Sequence, residues 1–300
     1  CNDCGEVEMC ENCSVPMTFH INQNKLNCHY CGLVKSVPGA CTHCGSINIK
    51  YFGTGTERVE DELQFYFPNA RIERIDSDSI TRKSYLSNLL LSFGKGDIDI
   101  LVGTQMVSKG LDFPRVTLVG VISAETTLWL PDFRADERTF QLLTQVAGRA
   151  GRNKVEGEVI IQTFNEKHFV LRKVLENDYK GFYSKEKIDR EQMGYPPFTR
   201  IALIETKDTS MDKAKGAAYD FYKEIIKYKN YLKISDPTTA QIFKLLNNYR
   251  YHILIKSSKE NDPGGGVLRK AILEAWSEFN KKSRYRDVKL YYDVDPQSIM

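Results

Sequence analysis

The cysteines of this chain stand in four Cys-x-x-Cys pairs within the first 44 residues, and none follows. The pairs are Cys1/Cys4, Cys10/Cys13, Cys28/Cys31 and Cys41/Cys44. Two cysteines three positions apart can point both thiolates at one ion from a tight turn, here called a knuckle. Eight thiolates are enough for two tetrahedral Cys4 sites, so the spacing predicts two bound Zn²⁺ ions.

The knuckles can be paired in two ways. The inner knuckles (Cys10/Cys13 and Cys28/Cys31) have a spacing close to that of a common zinc ribbon, so we expect them to share one ion. The outer knuckles (Cys1/Cys4 and Cys41/Cys44) would then hold the other ion. A short hairpin over residues 17–27 would bring the inner knuckles together. Pairing the first knuckle with the second and the third with the fourth is the alternative, although the linker between the first two is cramped.

Histidine ligands and disulfides are both less favoured for residues 1–50. His20, His29 and His43 lie close by as candidate ligands, but eight sulfurs already fill two sites. Disulfides would need an oxidising compartment, and the sequence shows neither a signal peptide nor a membrane-spanning run. Residues 1–50 have few large apolar side chains, and structural zinc can contribute on the order of 10 kcal/mol to folding. An all-thiolate site leaves no open position for a substrate, which predicts a structural role.

A second chemical feature is the segment Gln145-Val-Ala-Gly-Arg149-Ala-Gly-Arg152. Spacings of four and three residues place Gln145, Arg149 and Arg152 on one helical face. The small residues between them let a backbone approach another surface, and paired guanidinium groups bind polyanions such as phosphates. The residues alone leave open a solvated basic stripe near a helix end, where positive charge is mildly favoured.

Alternating strands and helices must position these groups. Apolar, β-branched runs predict strands at 48–52, 71–75, 99–102, 116–122 and 158–163, and amphipathic runs predict helices at 56–67, 81–93, 137–148 and 168–193. This alternation predicts an α/β parallel sheet covered by helices, with ligands at the carboxyl ends of its strands. The order β-α-β-β-α-β that follows predicts a ferredoxin-like α+β domain. The expected domains are a zinc module (1–47), a parallel-sheet lobe (48–187) and a C-terminal domain (188–300).

The formal charge of +3 is nearly balanced, so nucleic-acid binding would have to come from local patches. A predicted C-terminal hairpin mixes basic and aromatic side chains, as single-stranded nucleic-acid platforms do. These residues are Lys244, Tyr249, Arg250, Tyr251, His252 and Lys256. An ordinary hairpin with a buried aromatic face is the alternative, and we favour it for the individual tyrosines.

Five segments, in order along the chain, resemble those of one helicase family. Gln-x-x-Gly-Arg-x-x-Arg resembles motif VI of superfamily 2 helicases, in the second of their two RecA-like lobes, and residues 101–113 resemble motif V. Residues 53–60, 130–139 and 193–198 are narrower signatures. With the eight cysteines, they resemble the family of primosomal replication-restart DNA helicases, PriA (primosomal protein N′). The resemblance covers essentially the whole chain.

The resemblance implies roles for named residues. ATP with Mg²⁺ would bind between two lobes, where Arg152 would be the arginine finger on the γ-phosphate, with Arg149 beside it and Gln145 positioning both. Gly110 would let the backbone approach the nucleotide. Asp112 would contact the ribose or couple to the finger, although a helix or turn cap is an equal alternative.

The resemblance also implies contacts with DNA. Thr104, Gln105 and Ser108 would contact the phosphate backbone of the tracking strand. Lys109 is either a phosphate contact or a solvated lysine, and Thr104 has a locally satisfied strand-end hydroxyl as its alternative. Trp129 is expected in the core, with a place in a wedge or partner-docking surface as the alternative.

The sequence departs from a complete helicase in one respect. It has no Gly-x-x-x-x-Gly-Lys-Ser/Thr segment and no acidic box for magnesium, so we expect those parts in a preceding lobe. We therefore expect this chain, which begins inside a knuckle, to be a fragment that does not hydrolyse ATP alone.

The implied full-length protein is a 3′-to-5′ ATP-dependent DNA helicase that recognises stalled or forked DNA and starts primosome assembly. A zinc-bearing nucleic-acid adapter with a non-hydrolysing RecA-like lobe is the alternative function. The partners implied are forked and single-stranded DNA, single-strand DNA-binding protein, and primosome and replicative-helicase loading proteins. A cytoplasmic monomer without membrane contact is expected.

Overall fold

The computed structural model describes residues 1–20, 24–50, 55–75, 83–104, 113, 115–148 and 157–299. Within these ranges, none of the helices is both long and apolar enough to cross a membrane. The chain divides into two compact units. Unit 1 combines Cys1–Tyr51 with Lys187–Met300, and unit 2 is Phe52–Glu186. The cysteine-rich segment therefore packs in the same unit as the C-terminal segment, although unit 2 separates them in sequence.

Three short strands form the scaffold of the cysteine-rich segment, residues 1–50, which we call the ribbon. They are β1 (Thr18–His20), β2 (Lys25–Asn27) and β3 (Val34–Ser36), and each pairs antiparallel with the next. The predicted hairpin over residues 17–27 is present as β1 and β2. Met17 and Leu26 are buried beside the inner cysteines, so the ribbon core is small.

Unit 2 contains two pairs of parallel strands, which confirms the α/β class. The pairs are β4 (Ile72–Ile75) with β5 (Ile100–Gly103), and β6 (Leu118–Val121) with β7 (Glu158–Ile161). Within the described ranges its helices are α1 (Thr56–Tyr66), α2 (Lys83–Lys95), α3 (Glu125–Leu128), α4 (Ala135–Ala147), α5 (Phe169–Leu175) and the first part of α6 (Tyr179–Met193). The predicted strand at 48–52 is absent from residues 48–50, and its other residues lie outside the described ranges.

The helix predicted over 168–193 is interrupted. Asn177 between α5 and α6 has a left-handed φ of 49°, a conformation that asparagine tolerates better than most residues. The next residue, Asp178, accepts a hydrogen bond of 2.8 Å from the Gly181 N–H and so satisfies a donor of the first turn of α6. Helices α4, α5 and α6 then bury a common core in which the Phe140 and Phe182 rings stack with centroids 4.1 Å apart.

The C-terminal part of unit 1 is an antiparallel sheet that packs against two helices. Its elements are β8 (Thr199–Asp208), α7 (Met211–Ile225), β9 (Lys233–Ile234), β10 (Thr238–Leu245), β11 (Asn248–Ser258), α8 (Gly266–Asn280) and β12 (Lys289–Val294). The strand order is β10-β11-β8-β12, and the short β9 pairs with β11. Alternate residues such as Ile204 and Ile253 are fully buried against Phe221 and Leu268 of the two helices. Complete burial of each such side chain stabilises the fold by about 2 kcal/mol.

Candidate metal centres and phosphate-binding residues

The structure brings the eight cysteines together as two groups of four. The outer cluster joins the first and fourth knuckles, and the inner cluster joins the second and third. Within each cluster all sulfur atoms lie within 4.8 Å of one another. The Sγ–Sγ distances are 3.6 Å for Cys1–Cys44, 3.7 Å for Cys4–Cys41 and 3.5 Å for Cys10–Cys31. The first and second knuckles, the alternative pairing, do not share a cluster.

The sulfur geometry fits zinc. Four sulfurs at about 2.3 Å from a tetrahedral Zn²⁺ are about 3.8 Å apart, close to the distances observed. A disulfide needs sulfurs about 2 Å apart, and all eight cysteines are free. The inner cluster is more buried, since Cys10, Cys13 and Cys28 are 5%, 0% and 1% exposed. Each cluster therefore suits one structural zinc ion.

Backbone N–H groups lower the pKa of two of the thiols. A hydrogen bond from the Leu33 N–H lowers the pKa of the Cys31 thiol to about 7. Bonds from the N–H groups of Cys44 and His43 likewise lower the pKa of Cys41 to about 7. Burial acts in the opposite direction and raises the pKa of Cys13 to about 12. A bound dication would favour the thiolate at such a buried position.

Three of the four knuckles are closed by a glycine. Gly5, Gly32 and Gly45 follow the second cysteine of their knuckles with φ of 77°, 73° and 75°, a conformation that glycine adopts without strain. Each glycine N–H donates to the carbonyl oxygen of the first cysteine of its knuckle, at 2.8 to 3.0 Å. The knuckle Cys10/Cys13 is the exception, because Ser14 follows it.

The exceptional knuckle contacts the turn between β10 and β11. The Ser14 N–H donates to the Lys244 carbonyl oxygen at 2.8 Å, and the Asn247 N–H donates to the Asn12 carbonyl oxygen at 2.8 Å. The Leu246 N–H lies 3.4 Å from the Cys13 sulfur. The Lys244 ammonium donates to the Glu11 carbonyl oxygen at 2.8 Å. The Leu245 side chain also packs against the inner cluster.

The candidate histidines do not join either cluster. His20 is 9% exposed, and its ring lies 5.1 Å from that of His29, whereas no histidine within the described ranges has its ring nitrogens among the clustered sulfurs. The eight thiols thus form both clusters without a histidine, as expected when sulfur ligands are sufficient.

Two of the predicted phosphate- and DNA-binding residues lie in described segments. Thr104 is exposed and directly follows β5, so it lies at the carboxyl end of a parallel strand. Gln145 is exposed in the last turn of α4, which ends at Ala147 with Gly148 as its cap. The other predicted residues lie outside the described ranges. They are Gln105, Ser108, Lys109, Gly110, Asp112, Arg149 and Arg152.

Two of the narrower signatures supply ion pairs inside unit 2. In the signature at 53–60, Glu57 and Glu60 approach the Arg74 guanidinium of β4 at 3.4 Å and 3.1 Å. In the signature at 130–139, the side chain of Asp132 is fully buried and lies 3.7 Å from Arg134 and 3.8 Å from Arg138. These residues form ion pairs within the lobe, and sequence reasoning did not assign them that role.

The Trp129 prediction is wrong, because this side chain is 70% exposed. Its ring stacks on that of Phe164, itself 85% exposed, with centroids 6.2 Å apart. The buried Glu125 carboxylate joins the two segments by accepting hydrogen bonds from the Thr163 hydroxyl at 2.5 Å and the Phe164 N–H at 2.8 Å. Burial opposes the charge on Glu125, but these bonds outweigh it and lower the pKa of the carboxyl group.

The basic residues of the C-terminal hairpin are largely engaged within unit 1. Arg250 donates to the Glu205 carboxylate at 2.6 Å and 2.9 Å, and the His252 Nε2 lies 2.9 Å from the same oxygen. Tyr251 is buried against α7. The Lys256 ammonium donates to the Met193 carbonyl oxygen at 3.0 Å, and burial lowers the pKa of this lysine to about 8. The mixed basic and aromatic pattern therefore reflects internal packing more than an open platform.

Three family models match the chain in order. The first, PriA DNA helicase Cys-rich region domain, matches residues 10–35. The second, Helicase conserved C-terminal domain, matches residues 46–154, and the third, Primosomal protein N C-terminal domain, matches residues 191–297. Replication restart protein PriA of Bacillus subtilis (strain 168) is 42% identical over 308 aligned residues, which include all of this chain. The chain belongs to the PriA family.

Other PriA proteins match over the same extent. PriA of Haemophilus influenzae is 39% identical and PriA of Treponema pallidum 36% identical, each across all of this chain. The chain spans 37%, 40% and 44% of the three PriA relatives named here. The first PriA model covers the inner knuckles with the hairpin between them, and the third covers both halves of the β10–β11 hairpin.

Proposed function

We propose that this chain supplies the zinc module, the second RecA-like lobe and the C-terminal DNA-binding domain of a replication-restart helicase. The full-length protein would couple ATP hydrolysis to 3′-to-5′ movement on forked or single-stranded DNA and would start primosome assembly. The observation that carries this proposal is the order of the three matched models along one chain, with PriA relatives aligned to all of it.

The zinc part of the proposal rests on the two cysteine clusters. Each would hold one Zn²⁺ through four thiolates, and the bound ion would supply cross-linking and charge neutralisation without an open coordination position. The knuckle glycines and backbone N–H groups orient the sulfurs. The role is structural, and we propose that it stabilises a surface for DNA or partner proteins.

For the lobe, the parallel strand pairs and the exposed positions of Thr104 and Gln145 support a RecA-like arrangement. Arg152 would act as the arginine finger, with Arg149 beside it and Gln145 positioning both. Gly110 and Asp112 would approach the nucleotide. DNA phosphates would be contacted from residues 104–109, which follow a parallel strand, where ligands of such sheets bind.

For the C-terminal domain, the strand order β10-β11-β8-β12 with antiparallel neighbours supports a ferredoxin-like classification. We propose that this domain binds DNA and contributes to contacts with single-strand DNA-binding protein and loading proteins. The protein would act as a cytoplasmic monomer.

The test of the finger uses the full-length protein with Mg²⁺, ATP and forked DNA. Arg152→Ala should lower DNA-stimulated ATP hydrolysis by on the order of a thousandfold and leave fork binding within about twofold. Arg172→Ala, at an exposed arginine of α5, is the matched control and should retain activity. Normal unwinding by Arg152→Ala would refute the assignment.

A second experiment separates the helicase from a non-hydrolysing adapter. The 300-residue chain lacks a phosphate-binding loop and should not turn over ATP, whereas the full-length protein should. Failure of the full-length protein to hydrolyse ATP with any DNA would favour the adapter. Turnover by the chain alone would contradict the need for a first lobe.

A further inference from the structure

The knuckle Cys10/Cys13 lacks the glycine hydrogen bond that closes the other three, although its Cys10 N–H donates to the Val15 carbonyl oxygen at 2.9 Å. In those, a left-handed glycine turns its N–H back to the first cysteine of the knuckle. Ser14 takes the glycine position here, and its N–H donates to Lys244 instead. The Cys10 sulfur receives local N–H groups, from Asn12 and Cys13. In two other knuckles the second cysteine also has a local donor, since Leu33 donates to Cys31 and Ser46 to Cys44. Cys13 receives its donor from Leu246, which is 233 positions away.

The β10–β11 turn provides backbone N–H donors to this knuckle. Leu246 and Asn247 have left-handed φ of 50° and 62°, which is the geometry of a tight two-residue hairpin turn. This geometry directs the N–H groups of both residues at the knuckle, toward the Cys13 sulfur and the Asn12 carbonyl oxygen. The Lys244 carbonyl oxygen accepts from the Ser14 N–H, and the Lys244 ammonium group donates to the Glu11 carbonyl oxygen.

We propose that the β10–β11 turn is a support of the inner zinc site, so that zinc at this site and docking of the C-terminal domain stabilise each other. Hydrogen bonds to ligand atoms orient them, and loss of such supporting groups costs about tenfold or more in metal affinity. Because the coupling is thermodynamic, zinc must strengthen docking by the same factor by which docking strengthens zinc binding. The inference goes beyond helicase function and requires only that zinc fills the clusters.

The outer cluster provides an internal control. Its knuckles close on themselves through Gly5 and Gly45, and a further bond joins the Asn2 N–H to the Asn48 carbonyl oxygen. Within the described ranges, the hydrogen bonds of residues 1–5 and 41–46 stay inside the ribbon. The hairpin should therefore support the inner ion selectively.

The first experiment measures zinc affinity by competition with a chromophoric chelator, in the 300-residue chain carrying Cys41→Ser and Cys44→Ser so that the inner ion remains. Adding Lys244→Ala and Leu245→Ala should weaken zinc binding about tenfold. Leu290→Ala is the matched control, because Leu290 packs on the C-terminal core from β12, at the opposite edge of the sheet. It should change zinc affinity less than about twofold. Equal weakening by the control would overturn the proposal.

The second experiment works in the reverse direction and needs no substitution. Amide hydrogen exchange of the chain is compared before and after both ions are removed by chelation. Exchange at Ser14, Leu246 and Asn247 should accelerate at least about tenfold, while the β8–β12 amides keep their protection. Unchanged protection at the turn would overturn the inference. Metal analysis that finds no zinc would overturn both this inference and the zinc part of the proposed function, whereas two bound ions with an unchanged turn would overturn this inference alone.

Discussion

Substitution of Glu205 by glutamine should destabilise the C-terminal domain in a pH-dependent way. One oxygen of this carboxylate accepts a hydrogen bond from the Arg250 guanidinium at 2.6 Å and lies 2.9 Å from the His252 ring nitrogen. The Glu205, Arg250 and His252 side chains are 17%, 14% and 8% exposed, so water screens the group in part. Burial raises the pKa of Glu205, but the bonds from His252 and Arg250 outweigh it and lower the pKa to about 2.

The magnitude follows from the shift in pKa. A lowering from 4.5 to about 2 corresponds to about 3 kcal/mol, since each unit is worth about 1.4 kcal/mol. Partial contact with water reduces this to about 2 kcal/mol. The folded-state pKa is depressed, so the contribution is fully present above pH 4.5 and is lost as pH falls toward about 2. Glu205→Gln should therefore cost about 2 kcal/mol at pH 7 and progressively less below pH 4.5.

The assay is urea unfolding followed by the fluorescence of Trp276, which packs edge-on against Tyr292 with ring centroids 5.3 Å apart. A Trp129→Phe background leaves Trp276 as the single tryptophan, because the chain has two. Glu278→Gln is the control, since Glu278 pairs with Lys281 on the surface and should change stability by less than about 0.5 kcal/mol. A Glu205→Gln deficit that stays constant from pH 7 to pH 3 would refute the electrostatic reasoning.

Three further predictions concern other parts of the chain. Removal of zinc by a chelator should release two ions per chain, measured by elemental analysis, and unfold the ribbon, measured by circular dichroism; retention of ribbon structure without metal would contradict this. Gly96→Ala should lower the unfolding free energy of unit 2 by about 1 to 2 kcal/mol, because Gly96 has a φ of 88° and a Cβ there would lie 2.6 Å from Arg115. The assay is urea unfolding followed by Trp129 fluorescence in a Trp276→Phe background, since Trp129 lies in unit 2, and an unchanged midpoint would contradict this. Glu125→Ala should cost about 2 kcal/mol in the same assay by leaving the Thr163 hydroxyl and a backbone N–H without their acceptor, and a cost below about 0.5 kcal/mol would argue that water replaces it.

The parts of the fold that depend on local patterns were predictable from the sequence. The cysteine spacing predicted which knuckles come together, because a knuckle and a short hairpin are both local structures. The parallel strands of unit 2 were recognisable from short β-branched runs. The break between α5 and α6 was missed although Asn177-Asp178 is a turn signal, because the apolar periodicity resumes after it.

The contacts that join distant segments were not predictable in the same way. The hairpin residues Arg250 and His252 resembled a nucleic-acid platform because their partner, Glu205, lies on another strand that pairs with theirs. The docking of Leu246 on Cys13 uses a backbone N–H, which any residue except proline provides. The one sequence signal was the missing glycine at Ser14, and it becomes informative only when the four knuckles are compared.

The contact between knuckle and hairpin also bears on the order of events during synthesis. The hydrogen bonds from Leu246 and Lys244 join residues 233 positions apart. At a translation rate of about 5 to 20 residues per second, the ribosome needs roughly 10 to 50 s to produce the second partner after the first. A metal ion that binds the nascent ribbon in that interval binds while the Cys10/Cys13 turn is uncovered. Loss of the ion in this window would leave the newly made hairpin without the surface on which it docks.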